Sequence, residues 1–323
     1  MYLQAAFSLL ALCIALPVVK RLLRGRVDYS GKHVLITGGS SGIGKSIARE
    51  FVRNGSHVTI LARTESKLKA ACEELRKGAT GAEQKIEYAV ADVSDFQAVK
   101  AAVESSEKKA GPIDVVIANA GSSQPGYFLE QDVSVFRKAM EGNYMGTVNI
   151  IKAVAPSLTQ RRQGQIVIVA SAAAVVSFIG YSSYAPSKWA LRGLADTLRN
   201  ELLGFDVTVH IAYPPDTDTP GFEEENKAKP AECAAFSQLI GGKPYPADEV
   251  ARHLVNGLAW RMYHLPSPDF IQNRLVDTMA GVSPRSNAVL EWLTLPLLAF
   301  IEWVVLLLVD SFGRKYGSKK KRE

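Results

Sequence analysis

Three side chains in this sequence are spaced for one kind of chemistry. Ser171 follows a short apolar run at 165–170, Tyr184 stands thirteen residues on, and Lys188 four beyond that. Residues at i and i+4 share a helix face, so Tyr184 and Lys188 belong together on one helix. Pro186 between them fits a helix in its first turn, where a missing N–H costs nothing. A phenol is a poor acid or base at neutral pH, since its pKa is about 10. A neighbouring ammonium improves it by stabilising the phenolate. A fixed serine hydroxyl can hydrogen-bond and orient a substrate oxygen. The set suits hydride delivery to a carbonyl carbon, where the developing alkoxide must be protonated.

The elements around these residues must supply the hydride source. The run 33–37 is short and apolar, and is followed by Gly38-Gly39-Ser40-Ser41-Gly42-Ile43-Gly44. Ile43, Ile47 and Phe51 then recur at helical spacing. Strand, glycine turn and helix form the context in which such glycines hold a dinucleotide. Gly38 permits the tight turn, Gly42 lets the backbone approach a pyrophosphate, and Gly44 lets helix and strand pack closely. The helix N-terminus then faces the phosphates. The strand at 57–61 ends in Ala62-Arg63 rather than an acidic residue. An arginine there can hold a 2′-phosphate, which favours NADPH. Lys67, four residues further, is placed to assist from the same helical face. The strand at 87–91 ends in Asp92-Val93, where Asp92 reads equally as an acceptor for the adenine amino group or as the N-cap of a helix starting near Ser94. A strand at 113–118 closes on Asn119-Ala120-Gly121. Strands alternate with helices up to residue 210, which predicts an α/β fold: a Rossmann-type, doubly wound parallel sheet with helices on both faces.

In this order, the glycine turn, Asn119-Ala120-Gly121, Ser171 and Tyr184-x-x-x-Lys188 resemble the short-chain dehydrogenase/reductase family over about residues 30–270. The resemblance implies that Asn143 completes a proton relay with Ser171, Tyr184 and Lys188. It implies that Gly38, Ser40, Ser41, Gly42, Ile43, Gly44, Val93, Asn119, Tyr184 and Lys188 touch the cofactor. The segment 214–219 bounds the nicotinamide and its phosphates, with Thr217 as hydroxyl donor. Within the family, the string at 212–222, AYPPDTDTPGF, and the following Glu224-Glu225-Asn226 resemble the branch that reduces the ketone of long-chain sphingoid bases. That likeness implies a long-chain sphingoid-base ketone as substrate, reduced with NADPH at its C3 carbonyl. A membrane-bound steroid or retinoid dehydrogenase, and a non-catalytic NADPH-binding scaffold, remain the alternatives. Relatives often form homodimers through core helices. Glu223, Glu224 and Glu225 lie on a substrate-covering loop; three adjacent carboxylates read as a solvated surface, with pairing of one to a substrate ammonium as the alternative.

The ends of the chain complete the picture. The net charge of +6 does not describe a nucleic-acid-binding face. Residues 1–27 carry four cations and no anion, residues 310–323 carry six cations against two anions, and the middle sums to −2. Each basic end adjoins an apolar stretch, which reads as membrane flanking. Residues 2–19 hold no charge and would span about 27 Å as a helix, enough for an N-terminal anchor in a thin bilayer. Positive charge following the stretch puts the catalytic domain in the cytosol. The apolar stretch at 288–309 contains Glu291, Pro296 and Glu302, so a re-entrant hairpin competes with a span. Lys320 and Lys321, fourth and third from the end, match a dilysine retrieval signal of the endoplasmic reticulum membrane. The expected organisation is an anchor with its basic flank at 1–27, a catalytic domain at 28–285 and a membrane region with a basic tail at 286–323. Cys13, Cys72 and Cys233 have neither disulfide-framework nor metal-ligand spacing.

Overall fold

A computed structural model describes residues 25–278 and 288–320, together with Ala15, Val19, Leu23 and Pro284. The N-terminal anchor expected at 2–19 lies largely outside the described residues. Seven strands pair in parallel: β1 (His33–Thr37), β2 (His57–Ala62), β3 (Ile86–Val90), β4 (Val115–Ala118), β5 (Gly164–Val169), β6 (Val207–Ala212) and β9 (His264–Leu265). Their order is β3-β2-β1-β4-β5-β6-β9. The order in which strands are added thus reverses between β1 and β4, the switch point where open α/β sheets bind ligands. β7 (Thr217–Asp218) and β8 (Tyr245–Pro246) form a separate parallel pair beyond the end of β6.

The central strands read as unbroken apolar runs because both sheet faces are covered; every residue of β1 and β4 is buried. Helices α1 (Gly42–Arg53), α2 (Glu65–Arg76) and α9 (Ala247–Ala259) cover one face with Ile47, Phe51, Leu68 and Leu254. Helices α3 (Phe96–Ala110), α5 (Gly146–Arg161) and α6 (Tyr184–Leu202) cover the other with Val99, Ile150, Val154 and Leu191. A helical period meets a strand period on both sides, which is the expected doubly wound architecture.

Local boundaries differ from the sequence reading at several points. Helix α3 begins at Phe96, and its N-cap is Asp95, which accepts from the backbone N–H groups of Gln97 and Ala98 at 2.9 and 3.1 Å. Asp92 is therefore not the cap; it turns back on Ser94 instead. Helix α2 begins at Glu65, so Arg63 precedes the helix that carries Lys67, and the two do not share a helical face. The segment carrying Glu223, Glu224 and Glu225 is a helix, α7 (Pro220–Ala228), not a loop. Thr219 caps it and Pro220 opens it, a pairing that pre-organises a helix start. Helix α8 (Ala231–Gly241) follows, then α9 and α10 (Phe270–Thr278).

The C-terminal apolar stretch is one continuous helix, α11 (Ala288–Lys320), with Pro296 inside it rather than a hairpin bend. Thirty-three residues extend about 50 Å. Along its less exposed side, Glu291, Thr294, Leu298, Ile301, Val305, Leu308 and Phe312 recur at alternating spacings of three and four, with Glu302 and Val309 flanking them. This stripe faces the catalytic domain: Ile301 packs on the core and Phe312 meets Phe236 of α8 edge-on at 5.4 Å. Glu302, beside the stripe, accepts a hydrogen bond from Thr278 of α10. Glu291 is buried and Glu302 is bonded, so neither carboxylate stands on the outward apolar surface formed by Trp292, Leu297, Phe300, Trp303 and Leu306. By length and composition, residues 291–315 are apolar enough to cross a membrane.

Candidate active site

Ser171, Tyr184 and Lys188 meet at the carboxyl end of β5. The strand carries its pairing one step further, Ala170 N–H donating to Ala212 and Ala172 N–H to Pro214, at 2.8 and 3.0 Å. Ser171 is thereby fixed between the end of β5 and the segment after β6. Its hydroxyl accepts from the Ala173 N–H at 3.1 Å and is hydrogen-bonded to the Tyr184 phenol. Tyr184 is the first residue of α6, and Pro186 sits in that first turn, as its chemistry requires. One turn on, the Lys188 ammonium donates to the Val169 carbonyl at 3.2 Å and lies 5.7 Å from the centre of the Tyr184 ring.

The electrostatics depart from simple phenolate stabilisation. Burial pushes the Tyr184 hydroxyl above its ordinary range; the Ser171 bond opposes this, and the carboxylates of Glu225 and Asp216 add to it. The phenol is thus held as a proton carrier, the form a ketone reduction consumes. Lys188 is only 4% exposed. Burial brings its ammonium down to about 8, so it can change charge close to neutral pH.

Asn143 is fully enclosed in a π-helical turn, Met140–Met145, between α4 (Val133–Ala139) and α5. Such turns often mark functional positions in helices. The side-chain oxygen accepts from the Ser122 N–H at 2.9 Å, and the amide donates to the Ser122 carbonyl at 3.0 Å and the Ser187 hydroxyl at 2.9 Å. Gly121 lies against both Asn143 and Lys188: a Cβ there would stand 2.9 Å from Asn143 Oδ1 and 3.1 Å from Lys188 Nζ. The structure brings Asn143 Oδ1 and Lys188 Nζ together against the side of Gly121 that a side chain would occupy.

The glycine turn is shaped to admit a phosphate-bearing ligand. Gly38 and Gly42 have φ of +67° and +53°, a region that favours glycine. A Cβ on Gly44 would strike the Gly38 carbonyl and stand 2.6 Å from Asn119 Nδ2. Thr37 Oγ1 accepts from the N–H groups of Asn119 and Ala120, each at 2.9 Å, which ties this turn to the end of β4. Ser41 precedes α1 without capping it by its side chain, and the first turn holds no acidic residue. The first N–H groups of α1, beside Ser40, Ser41 and Ile43, are therefore suited to an anion. The residues fit a nicotinamide dinucleotide.

At the far end of this cleft, Arg63 and Asp92 face each other across 3.8 Å, the arginine exposed and the aspartate half-buried. The Ser94 backbone N–H, and after it the Ser94 hydroxyl, hold the Asp92 carboxyl below its usual range despite partial burial. Lys67 is exposed on α2, and Val93 packs on Gly146. Thr217 is buried and its hydroxyl donates to the Pro215 carbonyl at 2.7 Å. Thr219 instead stands over the turn: a Cβ on Gly42 would lie 3.0 Å from its methyl carbon. Sequence reasoning named the segment 214–219 but chose Thr217 within it over Thr219, although Thr219-Pro220 is itself a helix-start signal. It overlooked Ser187 and named Gly121 only as part of a strand end, because both meet Asn143 only in the folded chain.

An open parallel sheet, a glycine turn after its first strand and a Ser–Tyr–Lys set beyond its fifth define a nucleotide-dependent oxidoreductase. The chain belongs to the short-chain dehydrogenase family, whose model, described as short chain dehydrogenase, matches residues 32–230. This family uses a nicotinamide cofactor. The chain is 41% identical over 243 residues to the 3-dehydrosphinganine reductase of Danio rerio, covering 75% of this chain and 73% of that protein. It is 36% identical over 327 residues to the 3-ketodihydrosphingosine reductase of Bos taurus, covering 100% of this chain and 98% of the relative. A 3-ketodihydrosphingosine reductase of Dictyostelium discoideum is 38% identical over 82% of each chain.

Proposed function

We propose that this protein reduces the C3 ketone of 3-ketodihydrosphingosine to the alcohol of dihydrosphingosine, with NADPH, at the cytosolic face of the endoplasmic reticulum membrane. The likeness to the bovine reductase carries this reading, because it spans the whole chain and not only the nucleotide-binding core. When bound, NADPH supplies the hydride. The glycine turn and the start of α1 hold its pyrophosphate, Arg63 with Lys67 its 2′-phosphate, and Asp92 its adenine. Ser171 orients the ketone oxygen, and Tyr184 hands over its phenolic proton as charge grows on that oxygen. The Lys188 ammonium stabilises the phenolate left behind. Asn143 and Gly121 hold the lysine's surroundings in place.

An apolar groove of about 490 Å³ beside α6, lined by Tyr127, Phe128, Phe178, Tyr181, Pro186 and Trp189, supports a single-chain lipid substrate. The outward apolar surface of α11 supports membrane association. Val133, Met140 and Met145, exposed on the helical run from α4 to α5, support a homodimer.

The test is NADPH oxidation by the purified protein in mixed micelles, offered 3-ketosphinganine, a steroid ketone or retinal. Turnover of the ketosphingoid base alone is expected. Turnover of a steroid or retinal instead would leave the triad in place and remove the sphingoid assignment. NADPH binding without turnover of any ketone would favour a scaffold.

A further inference from the structure

We propose that Glu225 recognises the ammonium group carried beside the ketone of the substrate, and so selects amino ketones over plain ones. This rests on the substrate reading above. Three adjacent glutamates occupy α7, and the fold separates them. Glu224 is 74% exposed and pairs with Lys227 in solvent, and Glu223 is exposed as well. Glu225 turns inward, its side chain only 14% exposed.

Its neighbours place it one aromatic ring away from the catalytic phenol. The Tyr181 hydroxyl donates to Glu225 Oε1, and Lys229 Nζ approaches the same oxygen at 3.1 Å. Among the described residues, Oε2 accepts nothing. Tyr181 lines the apolar groove, and its ring centre lies 5.7 Å from that of Tyr184. Glu225 is therefore joined to the wall that separates the groove from the catalytic phenol. The charged groups that act most on that phenol are Glu225 and Asp216, both negative.

The geometry of an amino ketone matches this placement. With its carbonyl oxygen between Ser171 and Tyr184, the nitrogen on the adjacent carbon stays within about 4 Å of that oxygen, a reach set by three consecutive bonds. An ammonium there needs a charged acceptor, and a carboxylate gives the stronger, charge-assisted bond. The alkyl chain then continues along the groove past Phe178 and Trp189. A neutral ketone leaves Oε2 without a partner, which is a penalty a polar site imposes on the wrong substrate.

The experiment compares two ketones of one chain length, 3-ketosphinganine and its analogue lacking the amine, on wild type, Glu225→Gln and Lys229→Met. NADPH binding, read by fluorescence, checks that each variant is folded. For Glu225→Gln, kcat/KM on the amino ketone should fall roughly 10- to 100-fold, as for loss of a charged hydrogen bond. The analogue should change less than about threefold. Lys229→Met removes the internal cation and should hold or improve KM for the amino ketone. Equal losses on both ketones in both variants would make Tyr181–Glu225–Lys229 a structural clamp and overturn the proposal. So would an unchanged Glu225→Gln enzyme. Failure of the wild type to reduce the amino ketone at all would instead remove the substrate reading itself.

Discussion

Tyr184 and Lys188 carry the consequences that can be tested one side chain at a time. Enclosure of the phenol, helped by the Glu225 and Asp216 carboxylates and opposed by the Ser171 hydrogen bond, keeps it protonated until a ketone oxygen takes the proton. Tyr184→Phe should keep the fold and NADPH binding but lower kcat at least roughly 100-fold, the typical contribution of a positioned acid. Single-turnover kinetics with a pre-bound cofactor would read this directly. Lys188, with its pKa near 8, is charged below that pH and neutral above it. Ketone reduction should therefore decline as pH rises through about 8, with the apparent value belonging to the Tyr184–Lys188 pair. Lys188→Arg stays charged across this range, so the falling limb of its pH–rate profile should move upward. Unfolding does not explain such a decline. The folded chain binds this proton more weakly than the unfolded chain, so this residue adds stability as pH rises above about 8.

Elements make these residues meet, and two of them have measurable weak points. Helix α1 approaches β1 only because Gly44 has no side chain. Gly44→Ala should destabilise the protein by about 1–3 kcal/mol through overpacking and weaken NADPH binding at least tenfold, seen by thermal melts and cofactor titration. The buried histidines of β1 and β6 are the second. His210 is brought down to about 4 by burial and bonds the Met262 carbonyl at 2.7 Å. His33 is lowered chiefly by burial too. Both bind protons more tightly when unfolded, at about 6.5. For His210, stability should thus fall as pH drops from about 6.5 toward 4, by up to about 1.4 kcal/mol per pH unit, and His33 acts in the same direction. Melting temperature against pH checks this, and His210→Gln should flatten the slope.

At the scale of the whole molecule, the catalytic domain and its last helix form one packed unit. Leu298, Ile301 and Phe312 seat α11 on the domain, and its other faces remain apolar and exposed. Lysines and arginines follow in the tail, suited to anionic lipid headgroups. Leu306 and Leu307 are 56% and 43% exposed. Leu306→Asp with Leu307→Asp should leave the melting temperature within a few degrees. It should reduce co-flotation with phosphatidylserine-containing vesicles severalfold. Turnover of a short-chain, micelle-free ketone should be unchanged. A loss of melting temperature equal to that of a core variant would show that this surface packs inside the protein instead.

Much of the reaction centre was legible from residue order alone. Strand and helix periods, the glycine turn and the 171–184–188 spacing are local features, so they specify a doubly wound sheet and a Ser–Tyr–Lys set without knowledge of distant contacts. Boundaries were less secure where two caps compete, as at Asp92 and Asp95, because either aspartate can start a helix in sequence. What only the tertiary structure decided involves residues far apart in the chain. Gly42 meets Thr219, Gly121 leaves room for both Asn143 and Lys188, and Tyr181 bonds Glu225 alone of three adjacent glutamates. The hydropathy of α11 showed a stretch fit for lipid, whereas its seat on α8 and α10 placed Glu291 and Glu302 away from the outward surface. Chain order sets which chemistry is possible; close packing between distant segments sets which of several identical side chains performs it.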